Sequence, residues 1–324
     1  MKVYVTGGTG FIGRHVVNRL VAAGHQVVCL VRSTSRTEAL EQAGVTLVVG
    51  DISDRSSIHG VRGCDGLVHL AATFELWVPD QKAYYTANVI GIRNVMDAAL
   101  EAEVRKVVMV STAMVYGNST WPVTEETPIG SRRADRYSQS KYAGELVAWQ
   151  LHQQRGLPLV VIYPAAVLGP DNPKATGRYI RSMAHGRMPA QVVASSPFPF
   201  VHVRDVAEAV YAALAKDGNI GAKYLVSSEV MTFEQMNALI CDVAGSRPPT
   251  IKLPDWATLL LAGFLTALSR ITRKPPWLDL SIDQIRLMKT GLVVDASKAV
   301  RELGITYTPI RDAIEEELAP AERG

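Results

Sequence analysis

Residues 3–13 read Val3-Tyr4-Val5-Thr6-Gly7-Gly8-Thr9-Gly10-Phe11-Ile12-Gly13. A short apolar run that stops at Gly7 and reopens at Phe11 as an amphipathic pattern describes a strand, a tight turn and a helix. Glycines at 7, 10 and 13 allow the turn and let backbone approach a pyrophosphate, whose charge meets the helix N-terminus. The next apolar run, Val27-Val28-Cys29-Leu30-Val31, completes a dinucleotide-binding βαβ unit. It ends at Arg32, with Arg36 nearby and no acid between Val27 and Thr37. An acid there would bond the ribose 2′-hydroxyl of NAD. A cation suits the 2′-phosphate of NADP, so NADP is expected ahead of NAD.

The same alternation continues outward from this unit. Strands are expected at about 2–6, 26–32, 45–49, 65–70, 105–111 and 158–163, with helices at about 11–23, 36–43, 81–102 and 137–155. The strands are rich in Val, Ile and Leu with little polar alternation, as in a parallel, doubly wound sheet covered on both faces. Most of the 17 prolines lie beyond residue 163, which predicts a smaller, irregular α/β lobe there. Residues 1–165 are therefore expected to form the nucleotide-binding Rossmann-type domain. Residues 166–324 are expected to form mainly a substrate-binding lobe, with about 200–228 returning to the first domain: strands at Val201–Val203 and Tyr224–Ser227, and a helix at Asp205–Ala215.

Composition narrows the function. The 34 basic and 31 acidic residues leave a net charge of +3, too balanced for the basic stripe of a nucleic-acid protein. Cys29, Cys64 and Cys241 are scattered among apolar neighbours without C-x-x-C spacing and read as buried free thiols. The seven histidines show no metal-ligand spacing, so no metal is expected. Met1-Lys2 runs straight into Val3-Tyr4-Val5, with no room for a signal peptide, and a cytoplasmic protein is expected. The apolar stretch Trp256–Leu268 is too short to cross a bilayer. It ends near Arg270, Arg273 and Lys274, so it reads as a helix packing over the cleft or lying on a membrane surface.

Two further stretches fit the cofactor. Asp51 and Ile52 follow the third strand and would meet the adenine. Leu70-Ala71-Ala72 ends the fourth, where small side chains admit the ribose and nicotinamide. Tyr137-Ser138-Gln139-Ser140-Lys141 opens a helix, so Tyr137 and Lys141 share one face a turn apart. A phenol is a poor base at neutral pH, and an adjacent ammonium would lower its pKa. The fifth strand ends Val110-Ser111-Thr112 and would bring a hydroxyl to the same crevice.

In this order the glycine motif, the Ser/Thr strand end and Tyr-x-x-x-Lys resemble the short-chain dehydrogenase/reductase superfamily. Thr6–Gly13, His69–Ala72, Ser111–Gly117 and Tyr137–Lys141 resemble its extended branch, the NAD(P)-dependent epimerase/dehydratase family with its dihydroflavonol reductase-like and 3β-hydroxysteroid dehydrogenase-like members. The resemblance implies Tyr137 as general acid/base, Lys141 as its pKa modulator and ribose anchor, and Thr112, ahead of Ser111, as the hydroxyl orienting the substrate oxygen. It places Asn88 behind the site and Pro164 and Val167 beside the nicotinamide. It also implies a homodimer through the helices at 81–102 and 137–155. Tyr163 departs from the Arg that many relatives carry.

For the substrate the signals are thinner. Ser196-Pro197-Phe198-Pro199-Phe200 is apolar where nucleotide-sugar enzymes of this branch usually carry a cation for the diphosphate. Phe74 and Trp77 after the fourth strand and Trp121 before the catalytic Tyr suggest aromatic lips for an apolar or planar ligand. The expected function is an NADP-dependent carbonyl reductase or alcohol dehydrogenase acting on a bulky apolar substrate. A nucleotide-sugar epimerase/dehydratase using tightly bound NAD(P), and a non-catalytic NADP-binding sensor, stand as alternatives.

Overall fold

The computed structural model describes residues 1–193 and 195–319. In chain order the first half runs β1 Lys2–Thr6, α1 Phe11–Ala22, β2 Gln26–Val31, α2 Glu38–Gln42, β3 Thr46–Val49, β4 Gly66–His69, α3 Lys82–Tyr85, a π-helical turn Thr86–Ile90, α4 Gly91–Glu101, β5 Lys106–Val110, α5 Arg136–Arg155 and β6 Leu159–Pro164. The second half runs β7 Ala166–Leu168, α6 Ala175–Ala184, β8 Pro197–His202, α7 Val203–Ala215, β9 Lys223–Val226, β10 Glu229–Thr232, α8 Phe233–Val243, α9 Asp255–Thr272, α10 Ile282–Thr290, α11 Ser297–Leu303 and α12 Ile310–Leu318.

Seven strands form one parallel sheet in the order β3-β2-β1-β4-β5-β6-β9. Both faces are covered. Tyr4, Val107 and Met109 alternate with Val3, Val5, Val108 and Val110 between two separate cores. One core packs against Ile92 and Met96 of α4 and Ala148 of α5. The other packs against Val16 and Leu20 of α1 and Val206 and Val210 of α7. This is the expected Rossmann-type doubly wound sheet. Its strand order reverses between β1 and β4, which opens the crevice at the carboxyl ends of those strands.

The second half differs from expectation in two ways. Tyr224 does join the large sheet, through β9 beside β6, but Val201 does not. It lies in β8, the middle of a three-stranded sheet ordered β10-β8-β7. The prolines also mark starts more than irregularity: Pro254 and Pro309 sit immediately before α9 and α12, where a missing N–H costs nothing. The apolar stretch at 256–268 is part of an 18-residue helix.

The expected helix at 81–102 is continuous but carries the π-helical turn at its centre. Extra backbone there lets α5 approach closely. A Cβ at Gly144 of α5 would lie 1.8 Å from the Asn88 carbonyl oxygen and 2.6 Å from Ile92. Gly144→Ala should therefore destabilise the protein by about 1–3 kcal/mol through overpacking. A lowered midpoint in urea unfolding is expected, and an unchanged midpoint would show that this contact does not set the position of α5.

Candidate active site

The glycine turn makes a cradle with no room for side chains. Gly7 has φ +78°, and a Cβ on it would come 2.5 Å from the Ala71 nitrogen. A Cβ on Gly13 would come 2.0 Å from the Gly7 carbonyl oxygen. Gly10 caps α1 without a side-chain bond, and no acid stands in the first turn. The first-turn N–H groups are thus available to an anion at the positive end of the helix. The residues present fit a dinucleotide pyrophosphate.

A cleft of about 930 Å³ runs from this cradle across the carboxyl ends of the strands. It is lined by Gly7, Gly10, Phe11, Ile12, Gly13, Arg32, Asp51, Ile52, Leu70, Ala71, Ala72, Phe74, Thr112, Tyr137, Lys141, Pro164 and Val167. The fold therefore gathers residues that are spread over 160 positions of sequence. Exposed Arg32 stands at the end of β2, while exposed Arg36 lies outside the lining. Asp51 accepts from both the backbone and the hydroxyl of Ser53 through one oxygen (2.8 and 2.7 Å), leaving the other oxygen for a ligand. Ile52 packs on Gly91 of α4, whose Cβ would lie 2.7 Å away.

Tyr137 sits in the first turn of α5. That turn is fixed by Asp135, which is buried and accepts from the Ser138 backbone N–H (2.8 Å) and hydroxyl (2.7 Å). Burial pushes the Asp135 carboxyl up to about 6. Burial also pushes the Tyr137 phenol above its ordinary value, with nearby Asp135 adding to the effect and a hydrogen bond with Thr112 opposing it. Phe74 meets the Tyr137 ring edge-on at 4.9 Å between centroids. The Ser111 hydroxyl instead donates to Glu145 at 2.8 Å, which leaves Thr112 as the hydroxyl beside Tyr137 in the cleft lining.

Lys141 differs from the sequence expectation. Its ammonium donates to the Val110 carbonyl at 2.8 Å, and burial lowers it to about 8 while Glu145 raises it. The phenol accordingly stands above its ordinary value rather than below it. Burial of the phenol is the largest cause of that rise, and the Lys141 ammonium is engaged with a strand end rather than with the phenol.

Asn88 is buried in the π-helical turn. Its amide donates to the Thr73 carbonyl (3.1 Å) and the Ser140 hydroxyl (2.9 Å) and accepts from the Thr73 N–H (2.9 Å). It thereby ties the loop after β4 to the start of α5.

Two expected lips lie elsewhere. Trp77 faces a separate cavity of about 450 Å³, together with Tyr84, Arg136, Arg270, Asp283 and Arg286. The Ser281 hydroxyl donates to the Leu76 carbonyl at 2.9 Å, and that bond divides the loop between the two cavities. Trp121 is 44% exposed, lines neither cavity and packs toward Gly291.

Sequence reasoning missed Glu145, which is buried and accepts from Ser111, the Trp149 indole (3.2 Å) and Tyr163. Its signal was present: 137, 141 and 145 continue one spacing of four along α5. It also accounts for Tyr163, whose hydroxyl donates to this carboxylate. The aromatic wall of Phe198, Phe200, Phe233, Met236 and Met288 was also missed as a site, because these residues come from β8, α8 and α10, which meet only in the folded lobe.

Comparison with known proteins agrees with this geometry. Residues 3–227 match the model of the NAD dependent epimerase/dehydratase family. The chain is 32% identical over 331 residues to sterol demethylase protein B of Methylococcus capsulatus, covering 98% of each chain. It is 28% identical over 289 residues to a 2-alkyl-3-oxoalkanoate reductase of Shewanella oneidensis, covering 84% of this chain and 73% of the relative. It superposes on the crystal structure of gox2253 with a TM-score of 0.84 at 34% identity, covering 98% of this chain and 96% of the other. A family match across the whole glycine-to-lysine machinery sets the sensor alternative aside. The cradle, the buried Tyr137-Lys141 pair and these matches together make the chain an NAD(P)-dependent enzyme of the epimerase/dehydratase family, in the extended branch of the short-chain dehydrogenases/reductases.

Proposed function

We propose that this enzyme is an NADP-dependent reductase that moves hydride between the cofactor and the oxygen-bearing carbon of a bulky apolar substrate. One observation carries the reading: beyond Tyr137 the cleft is walled by Phe74, Phe198, Phe200, Phe233, Met236 and Met288. Of the three arginines that could hold a sugar diphosphate, Arg178 and Arg181 are engaged outside it, and exposed Arg187 does not line it. Arg178 pairs with Asp279 at 2.7 Å and Arg181 with Glu317, and neither lines the cleft. Lys174 does line it, but pairs with Glu75 at 2.8 Å. The names of the two relatives, one concerned with sterols and one with oxoalkanoates, support the same direction. The family's description supports the competing epimerase reading, for which Lys82 lines the cleft without an ion pair among the described residues.

Bound nicotinamide supplies or accepts the hydride. The chain's own residues handle the oxygen. A phenol held above its ordinary value keeps its proton at neutral pH, which suits donation to the oxygen of a carbonyl as it is reduced. Thr112, which lines the cleft beside that phenol, can donate to the same oxygen and fix its position. The Lys141 ammonium stabilises the phenolate left behind. Pro164 and Val167 would flank the nicotinamide, and the apolar wall would exclude water from the reacting atoms. Exposed Tyr85 of α3, Ile90 of the π-helical turn and Leu146 of α5 support pairing of two copies through these helices.

Purified enzyme should oxidise NADPH with bulky ketones and leave UDP- and dTDP-sugars unchanged; sugar isomerisation without net oxidation would reverse the assignment. Tyr137→Phe should keep NADPH affinity and lose roughly 100-fold or more in turnover. Ketone reduction should hold level through neutral pH and fall above about pH 8, as Lys141 passes from charged to neutral. A level profile to pH 10 would contradict the role of the ammonium.

Arg32→Glu should weaken NADP binding by roughly 10- to 100-fold through loss of a charge-assisted contact, with NAD affinity unchanged or improved. Equal affinities of the native protein for the two cofactors would overturn the NADP assignment.

A further inference from the structure

Among the described residues no helix is long and apolar enough to cross a membrane, yet α9 carries a continuous apolar stripe to the outside. Trp256, Leu260, Phe264 and Leu268 recur every fourth residue, with Ile271 three further on. Their exposures are 68, 68, 67, 45 and 82%. The opposite face, with Thr258, Ala262, Thr266 and Ser269, is buried, and Thr266 accepts from the Ile282 N–H of α10 at 2.9 Å. One side of the helix is thus fully used in folding, while the other presents large side chains to water. A helix of this pattern within a folded chain calls for a partner surface.

The charges around the stripe select that partner. Arg273 and Lys274 lie at its C-terminal end and neither forms an ion pair among the described residues, while Arg270 lines the smaller cavity beside Asp283. Asp255 is the only acidic residue of α9 and is paired with Lys289 at 3.2 Å. Two copies joined stripe to stripe would therefore bring no free α9 carboxylate to either basic end. An exposed second indole, Trp277, follows directly after the basic cluster. Aromatic residues at an interface, an apolar face and a basic margin match the acyl boundary and anionic headgroups of a bilayer.

We propose that α9 docks this enzyme onto an anionic phospholipid surface, with Trp256, Leu260, Phe264, Leu268 and Ile271 entering the acyl boundary and Arg273 and Lys274 meeting lipid phosphates. α10 packs on α9 and sends Met288 into the main cleft, so the docked enzyme would hold its substrate wall close to the lipid. The inference stands on α9 and is independent of the substrate: a sugar-active enzyme with this helix would dock as well.

Co-sedimentation of the full chain with vesicles of phosphatidylcholine, with and without phosphatidylglycerol, tests it. Binding should need phosphatidylglycerol and weaken as salt rises. Leu260→Asp with Phe264→Asp should reduce binding roughly tenfold or more, while the unfolding midpoint, the oligomeric state and NADPH affinity stay as in the native chain. Charge reversal at Arg273 and Lys274 should abolish the preference for the anionic lipid, and this second variant leaves the apolar stripe intact. Absence of native binding, equal binding to both vesicles, or binding unaffected by either variant would overturn the proposal. So would dissociation of a stable dimer by the aspartate variant without loss of lipid binding, which would identify a second copy as the partner.

Discussion

A buried ammonium held on a strand-end carbonyl is the contact on which the site depends. Lys141 reaches from α5 to the Val110 oxygen of β5 at 2.8 Å, and Tyr137, one turn earlier, is thereby set over the carboxyl ends of β1, β4 and β5. Burial makes this arrangement costly, since an enclosed lysine loses hydration and its charged form is disfavoured. The surrounding packing compensates. Gly144 lets α5 sit directly on the π-helical turn, Asn88 joins that turn to the loop after β4, and Asp135 fixes the first turn of the helix. Each of these contacts serves α5, and α5 carries both groups expected to handle the substrate oxygen. Two titratable groups held out of water, each shifted from its ordinary value, are the pattern expected of a site organised for chemistry rather than for stability.

Much of this was legible in the sequence because it is local. The glycines at 7, 10 and 13 lie within one turn, and their spacing states the need for backbone without side chains. The strands of the large sheet are apolar runs buried on both faces, so their positions follow from composition and length. Tyr137 and Lys141 stand four apart on one helix, and Thr112 ends a strand. Contacts that depend on how distant elements meet were less visible. The direction of the Tyr137 shift is one: spacing shows that a cation is near, but not that it engages a strand end while burial raises the phenol. Glu145 is another, its partners coming from β5, β6 and its own helix.

The lobe was the least legible part for the same reason. Its aromatic wall is assembled from β8, α8 and α10, whose residues are separated by some 90 positions and carry no shared period. Prolines at 254 and 309 looked like breaks in structure, whereas their missing N–H groups simply suit the starts of α9 and α12. Trp77 and Trp121 illustrate the converse error. Aromatic residues in loops beside a predicted site were expected at its mouth, yet a bond from Ser281 to Leu76 turns one into a neighbouring cavity, and the other packs toward Gly291.

The central claim is that the Tyr137-Lys141 face serves net hydride transfer to an apolar carbonyl compound. It is tested most directly by following deuterium from NADPH labelled at the transferable C4 position during a single turnover with a bulky ketone. The account predicts one deuterium on the new carbinol carbon, appearing in step with cofactor oxidation. Deuterium retained on a cofactor that ends the turnover reduced, or transferred only when a nucleotide sugar is supplied, would contradict it.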